Sequence, residues 1–170
     1  MAETKIATTL HLYKQNFKFS SAHFLIFDDQ KAEKLHGQNY QVRVDLGVSP
    51  EVELKDKGFF IDFNVFKKAI KARLDLWDEM VLLPATHPDM KISKKSPSLE
   101  VRFRDRFYVF PENEVRLLPV TNTSVEQLSR LLAEAFFSEF KAKGVAGVRV
   151  RVEETRGQAA SYLISHSING

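Results

Sequence analysis

Two histidines stand where a chain can present a side chain to a ligand. His23 closes the stretch FSSAH, and His36 opens HGQNY. Both fall at a junction of loop and predicted strand, where a rigid scaffold offers functional groups. Neutral imidazoles suit zinc, and a catalytic zinc takes three protein ligands and keeps one position open. Spacing alone fits packed or surface histidines as well. Of the other three, His11, His87 and His166, His11 lies on the predicted strand that leads to His23, twelve residues before it, and could point toward the pair. Arginines also repeat at strand spacing. Arg102, Arg104 and Arg106 alternate, as do Arg149 and Arg151, which puts each set on one face of a sheet. Such a row is either a solvated face or a patch that attracts an anionic substrate such as a triphosphate.

The elements that must hold these residues can be read from periodicity. Residues 8–20 carry many β-formers and predict one long strand ending just before His23; the polar run 28–34 predicts a loop. Residues 39–48 alternate, with Val42, Val44 and Leu46 on one side and Gln41, Arg43 and Asp45 on the other, the mark of a half-buried strand. The period then becomes helical. Val65, Phe66, Ala69, Ile70, Leu74 and Trp77 predict a helix over 64–79, with lysines on its far face. Pro84 and Pro88 break the next stretch. Segments 99–104 and 107–110 predict a hairpin, and 115–120 a short strand. Thr123 with Glu126 fits a capping box for a second helix, striped by Leu128, Leu131, Leu132, Phe136 and Phe140 and ended by Gly144. Strands follow at 147–153 and 160–165. No run of alternating strand and helix occurs, so a doubly wound parallel sheet is not expected. The expected fold is α+β, an antiparallel sheet with two long helices on one face, in a single domain over 1–170.

Composition narrows the function classes. The 170 residues include 14 phenylalanines and no cysteine, so the core is aromatic and there is no disulfide, thiolate ligand or cysteine nucleophile. No apolar run approaches the roughly 18 residues that span a membrane, and the first residues show no secretory apolar core; a cytoplasmic protein is expected. The net charge of +3 is a mild basic excess. Few aromatics interleave with the arginines beyond Phe103 and Phe107, so nucleic acid is not the expected partner.

A series of short motifs resembles the 6-pyruvoyl-tetrahydropterin synthase and 6-carboxy-tetrahydropterin synthase family. Phe19-Ser20-Ser21-Ala22-His23 is similar to its Phe-x-Ala-Ala-His, and Leu35-His36-Gly37-Gln38-Asn39-Tyr40 to its Leu-His-Gly-His-Asn-Tyr. Gly58-Phe59-Phe60-Ile61-Asp62-Phe63 resembles Gly-Met-Val-x-Asp-Phe, and Leu76-Trp77-Asp78-Glu79 stands where the family has Leu-Asp-His. Asn122-Thr123-Ser124-Val125-Glu126 resembles a Pro-Thr-x-Glu helix start, and Val152-Glu153-Glu154-Thr155 with Tyr162 a closing Glu-Thr…Tyr. The matches keep the family's order over nearly the whole chain, and the stretch from Asp78 through Leu117-Leu118-Pro119 looks like the archaeal-type branch. The resemblance implies the tunnelling fold, a homohexamer of two stacked trimers with sites between subunits, and a pterin substrate. It implies His23 and His36 as zinc ligands and Glu154 as the pterin anchor, its carboxylate pairing with the ring's N–H edge. Thr123, Ser124 and Thr155 would complete the substrate site.

Three departures qualify those roles. The third zinc ligand of the family, the second His of His-Gly-His, is here Gln38, and an amide oxygen is a poor zinc ligand; zinc is lost, held with Gln38 or water, or held by a recruited residue. The catalytic Cys four residues before His36 is here Ala32. One subgroup instead places a Glu three residues before this His, as Glu33-Lys34-Leu35-His36 does, and the resemblance then implies retro-aldol release of the pterin side chain, giving 6-hydroxymethyl-dihydropterin, with Glu33 as general base. The family's Asp–His pair is here Asp78-Glu79. The resulting expectation is a lyase acting on 7,8-dihydroneopterin triphosphate or a related dihydropterin; the rival is a relative with the same pocket that binds a pterin or purine without turnover.

Overall fold

The computed structural model describes residues 8–48 and 58–165; His166 lies outside them. In chain order the elements are β1 (Thr8–Leu12), β2 (Lys18–His23), β3 (His36–Val48), α1 (Phe63–Asp75), β4 (Met80–Pro84), β5 (Met90–Lys95), β6 (Ser98–Phe103), β7 (Arg106–Pro111), β8 (Val115–Leu118), α2 (Val125–Phe140), β9 (Val145–Thr155) and β10 (Gln158–Ser165). A large sheet runs β10-β9-β3-β2-β4-β8, with β1 also on β3, and β5-β6-β7 form a second sheet. The fold is α+β, a curled mixed sheet with both helices on one face.

The longest strand, β3, organises the rest. Along one edge it pairs antiparallel with β9 from Gln41 to Val48; along the other it pairs with β2 from His36 to Gln41 and with β1 from Val44 to Val48. The predicted long first strand is thus two strands on one edge, separated by a turn in which Phe17 N–H donates to Lys14 O at 2.9 Å. The sheet is also not wholly antiparallel, because β4 runs parallel to β2 and β8 parallel to β4.

Alternation decides which face is covered. Val42, Val44 and Leu46 of β3 and Val148, Val150 and Val152 of β9 are fully buried under Phe66, Ile70 and Leu74 of α1 and Leu128, Leu132, Phe136 and Phe140 of α2. Phe66 meets Phe140 edge-on at 4.9 Å between centroids. Each such side chain withdrawn from water contributes about 1.5–3 kcal/mol. A second core, with Phe24, Ile26, Leu83, Val101 and Phe103, joins the small sheet to the residues after His23.

Helix α1 starts where Asp62 caps it, its Oδ1 accepting from Asn64 N–H at 2.8 Å. It ends at Asp75, short of the predicted 79, because Glu79 takes φ 59°, a left-handed conformation no helix continues through. Trp77 is buried all the same, edge-on to Phe19. At α2 the cap is Ser124, whose hydroxyl accepts from Gln127 N–H. Thr123 is not the cap: it is fully buried, and its hydroxyl donates to Phe24 O at 3.1 Å. Gly144 closes the following turn with φ 86°, which costs glycine little. Arg104 lies in the turn between β6 and β7 rather than on a strand, so Arg102, Arg104 and Arg106 do not share one face.

Candidate functional site

The buried face of the sheet continues beyond the helices and turns polar there. On β2, Phe19, Ser21 and His23 point inward; on β3, His36, Gln38 and Tyr40 do. The register sets Phe19 opposite Tyr40, Ser21 opposite Gln38 and His23 opposite His36. On β9 the inward row Val148, Val150, Val152 leads on to Glu154. Three strands thereby deliver His23, His36 and Glu154 to one place. One ligand atom from each lies within 4.8 Å of the others, and the two imidazole centroids are 4.8 Å apart.

Each histidine is held by a backbone carbonyl. His23 Nδ1 is 3.2 Å from Thr123 O, and His36 Nδ1 is 2.9 Å from Lys34 O. A carbonyl only accepts, so each neutral ring carries its proton on Nδ1 and leaves the Nε2 lone pair available. At His23 that lone pair faces the Tyr40 hydroxyl at 2.9 Å and Glu154 Oε1 at 3.7 Å. Such carbonyl-held imidazoles are how proteins orient metal-binding histidines. Two imidazoles and a carboxylate also form a known catalytic zinc set, so the donor chemistry fits a divalent metal.

Electrostatics act on the same groups. Burial, and then the neighbouring His36, hold His23 below the ordinary 6.5, which keeps its ring neutral. Burial, followed by repulsion from Glu33, raises the Glu154 carboxyl above the usual range, while His36 pulls it back. Burial raises the Tyr40 phenol, so it remains a proton donor. Glu33 sits at the rim. Its carboxylate Oε2 accepts from Leu25 N–H at 3.0 Å and lies 3.9 Å from His36 Nδ1.

The remaining expected residues fall in different places. Gln38 faces the site, but its amide donates to the Glu154 backbone oxygen at 2.6 Å. Thr123 holds His23 through its carbonyl, and Ser124 caps α2. Thr155 is exposed and donates to Gln158 Oε1 at 2.8 Å. Asp78 and Glu79 are not beside the histidines of their own chain. Asp78 Oδ1 accepts from Ser20 N–H, and Glu79 N–H donates to Ser20 O, both at 2.7 Å, where Ser20 faces outward from β2. His11 does not join the site either; it pairs with Asp45 at 2.6 Å on the opposite face. Two contributors carried no role in the sequence reading. Tyr40 could have been found from its place four residues after His36 on an alternating strand. Asn122 fixes the segment after His23, its side chain bonding Ile26 N–H at 3.1 Å and Ile26 O at 2.8 Å.

The profile of the family described as 6-pyruvoyl tetrahydropterin synthase matches residues 12–164. The chain belongs to this family. A Methanocaldococcus jannaschii protein, provisionally assigned as a 6-carboxy-5,6,7,8-tetrahydropterin synthase, is 29% identical over 148 residues, which cover 85% of this chain and 88% of that one. The crystal structure of Plasmodium vivax 6-pyruvoyl tetrahydropterin synthase superposes with a TM-score of 0.83 at 24% identity, covering 94% of this chain and 98% of that one. A P. vivax variant described as a catalytic residue mutant, with glutamate changed to alanine, gives 0.84 at 23% over the same shares. At these identities the solved structures support the fold of this family member, the tunnelling fold.

Proposed function

We propose that this family member is a pterin-processing lyase that acts on 7,8-dihydroneopterin triphosphate or a related dihydropterin and cleaves its side chain. The observation that supports this most is the convergence of His23, His36 and Glu154 with the Glu33 carboxylate at their rim. That the P. vivax enzyme has a glutamate among its catalytic residues supports a carboxylate base in a chain without cysteine.

His23 and His36 would hold a divalent metal, with Glu154 Oε1 as third protein donor. When bound, the metal would polarise the side-chain oxygens of the substrate. The second oxygen of Glu154 would accept a ring N–H, so this residue both orients the pterin and faces the histidines. Gln38 would act by tying down the Glu154 backbone rather than as a ligand. Glu33 would take the proton of the side-chain hydroxyl beyond the carbon–carbon bond that breaks. The electron pair of that bond passes into the ring imine, and a proton returned to the carbon next to the ring completes the release of an aldehyde fragment. Asp78 and Glu79 would act only across subunits, in the homohexamer of two trimers proposed for the active form.

The test is turnover of 7,8-dihydroneopterin triphosphate by metal-loaded protein. Glu33→Gln should lower kcat by about 10²–10⁴-fold, the range of a general base, with pterin binding retained. Full activity in that variant removes Glu33 from the mechanism. Tight pterin binding with no turnover by the unaltered protein would identify a binding relative instead.

A further inference from the structure

The loop that carries Glu33 is closed by backbone bonds of its own, with Phe27 N–H donating to Lys31 O at 2.9 Å and Ile26 bridging to Ala32, but its tip is open to solvent. Residues 27–31 are all exposed, and an exposed loop without packed side chains opens easily. The hairpin turn of the small sheet ties this loop to the rest of the fold from one side. Arg106, the first residue of β7, extends its guanidinium under the loop. One terminal nitrogen donates to Glu33 O and the other to Ala32 O, the latter at 3.1 Å. The same guanidinium lies 5.7 Å from the centroids of Phe24 and Phe103, so it is half-buried between an aromatic pair and two carbonyls. On the other side of the loop, Glu33 N–H donates to Leu25 O at 2.8 Å. Arg104, two residues earlier, donates to Asp28 O at 2.6 Å and to Asp89 Oδ2 at 2.8 Å. One turn thus grips both ends of the loop.

From this geometry we infer that Arg106 is a positioning residue for the Glu33 carboxylate, linking the small sheet to the reaction. The inference rests on the proposed role of Glu33 as base. Bridging two successive carbonyls needs a planar fork of donors, which guanidinium supplies and a lysine ammonium does not. A general base must sit within hydrogen-bond reach of its proton, and a misplacement of about 1 Å can cost roughly 10²-fold in rate. The terminal nitrogens of Arg106 are engaged by the carbonyls of Ala32 and Glu33, so it acts through that backbone.

The experiment compares the unaltered protein, Arg106→Lys, Arg106→Ala and Glu33→Gln in steady-state turnover and in amide hydrogen exchange. Arg106→Lys is expected to lower kcat by about tenfold or more with KM within about threefold. Exchange should quicken at residues 28–34 and stay unchanged in β3 and β9. Guanidinium ion at millimolar concentration should restore part of the kcat of Arg106→Ala and none of that of Glu33→Gln, which a merely structural role would not produce. An active parent, a dead Glu33→Gln and an undiminished Arg106→Lys would overturn the positioning role and leave the lyase standing. An inactive parent would sink the lyase reading; exchange at 28–34 unchanged by Arg106→Lys would then overturn the clamp as well.

Discussion

A histidine packs against each face of the sheet around strand β3, and the two settings differ in almost every respect that matters to chemistry. On the outward face His11 lies opposite Asp45, with Arg43 Nε also on Asp45 Oδ1 at 3.0 Å. On the inward face His23 lies opposite His36. The side chain of His11 is 49% exposed and that of His23 1%. His11 directs Nδ1 to the Asp45 carboxylate, which Arg43 also holds, while its own ring stays half exposed. His23 spends Nδ1 on a buried carbonyl and turns Nε2 toward His36 and Glu154. The same residue type becomes an exposed polar pair or a candidate ligand according to the side of the pleat it falls on.

The sharpest way to break this contrast is to remove one histidine from each face. His23→Ala should abolish stoichiometric metal uptake, and turnover with it, in metal analysis of the purified protein. His11→Ala should leave both unchanged, since its pair lies on the outward face. In the same series Glu154→Gln should weaken metal affinity by about 10–100-fold, a loss of the size produced even by changing groups behind the ligands, and calorimetric zinc titration would measure it. An unchanged zinc affinity in Glu154→Gln would leave only the two imidazoles and return Glu154 to the pterin alone.

Half of this contrast was legible in the chain itself. The inward row of β3 follows from alternation, and the FSSAH and HGQNY stretches marked His23 and His36. Both helices follow from their 3.6-residue period. The rest left no such mark. Strand β4 is the apolar run MVLLP, mostly buried, so it shows no alternation and ends in the proline that looked like a breaker. Strand β5, largely exposed at the edge of the small sheet, reads as a polar linker. The parallel pairing of β2 with β4 depends on no residue pattern. Thr123 and Ser124 are adjacent hydroxyls, and only burial tells which one caps α2. Arg106 grips backbone carbonyls, which every residue has, so its role is visible only in three dimensions. The convergence of Glu154 on the histidines needed the register between β3 and β9.

A subtler test uses pH. The folded value of His23 is depressed below 6.5, so between that lowered value and 6.5 the unfolded chain binds more proton at this site than the folded one. Its contribution is complete above pH 6.5 and is lost as pH falls below it, with a slope of at most about 1.4 kcal/mol per pH unit. Glu154 has the opposite sign. Its folded value is raised, so it contributes stability at low pH that is lost as pH rises through that value. Chemical denaturation of metal-free Glu154→Gln from pH 7 to 5 isolates the histidine. Replacing His23 by asparagine in that background should flatten the profile; an unchanged slope would mean that His23 is not buried neutral.

The smallest expected effect concerns what distinguishes the inner cluster when no metal is bound. The Tyr40 hydroxyl donates to His23 Nε2, the atom a metal would take, while the Tyr40 ring stacks on Phe19 with centroids 4.7 Å apart. Tyr40→Phe keeps the stack and removes one hydrogen bond, a loss of about 1 kcal/mol in metal-free stability. A metal must displace that same bond from Nε2, so the loss in the metal-free state should return as affinity, about fivefold tighter zinc by competition titration. Lower stability with weaker zinc would mean that the phenol orients His23 for the metal rather than competing with it. No change in either quantity would mean that the Tyr40–His23 bond contributes nothing in solution, and the inner face would then owe its distinctness to burial and to the Thr123 carbonyl.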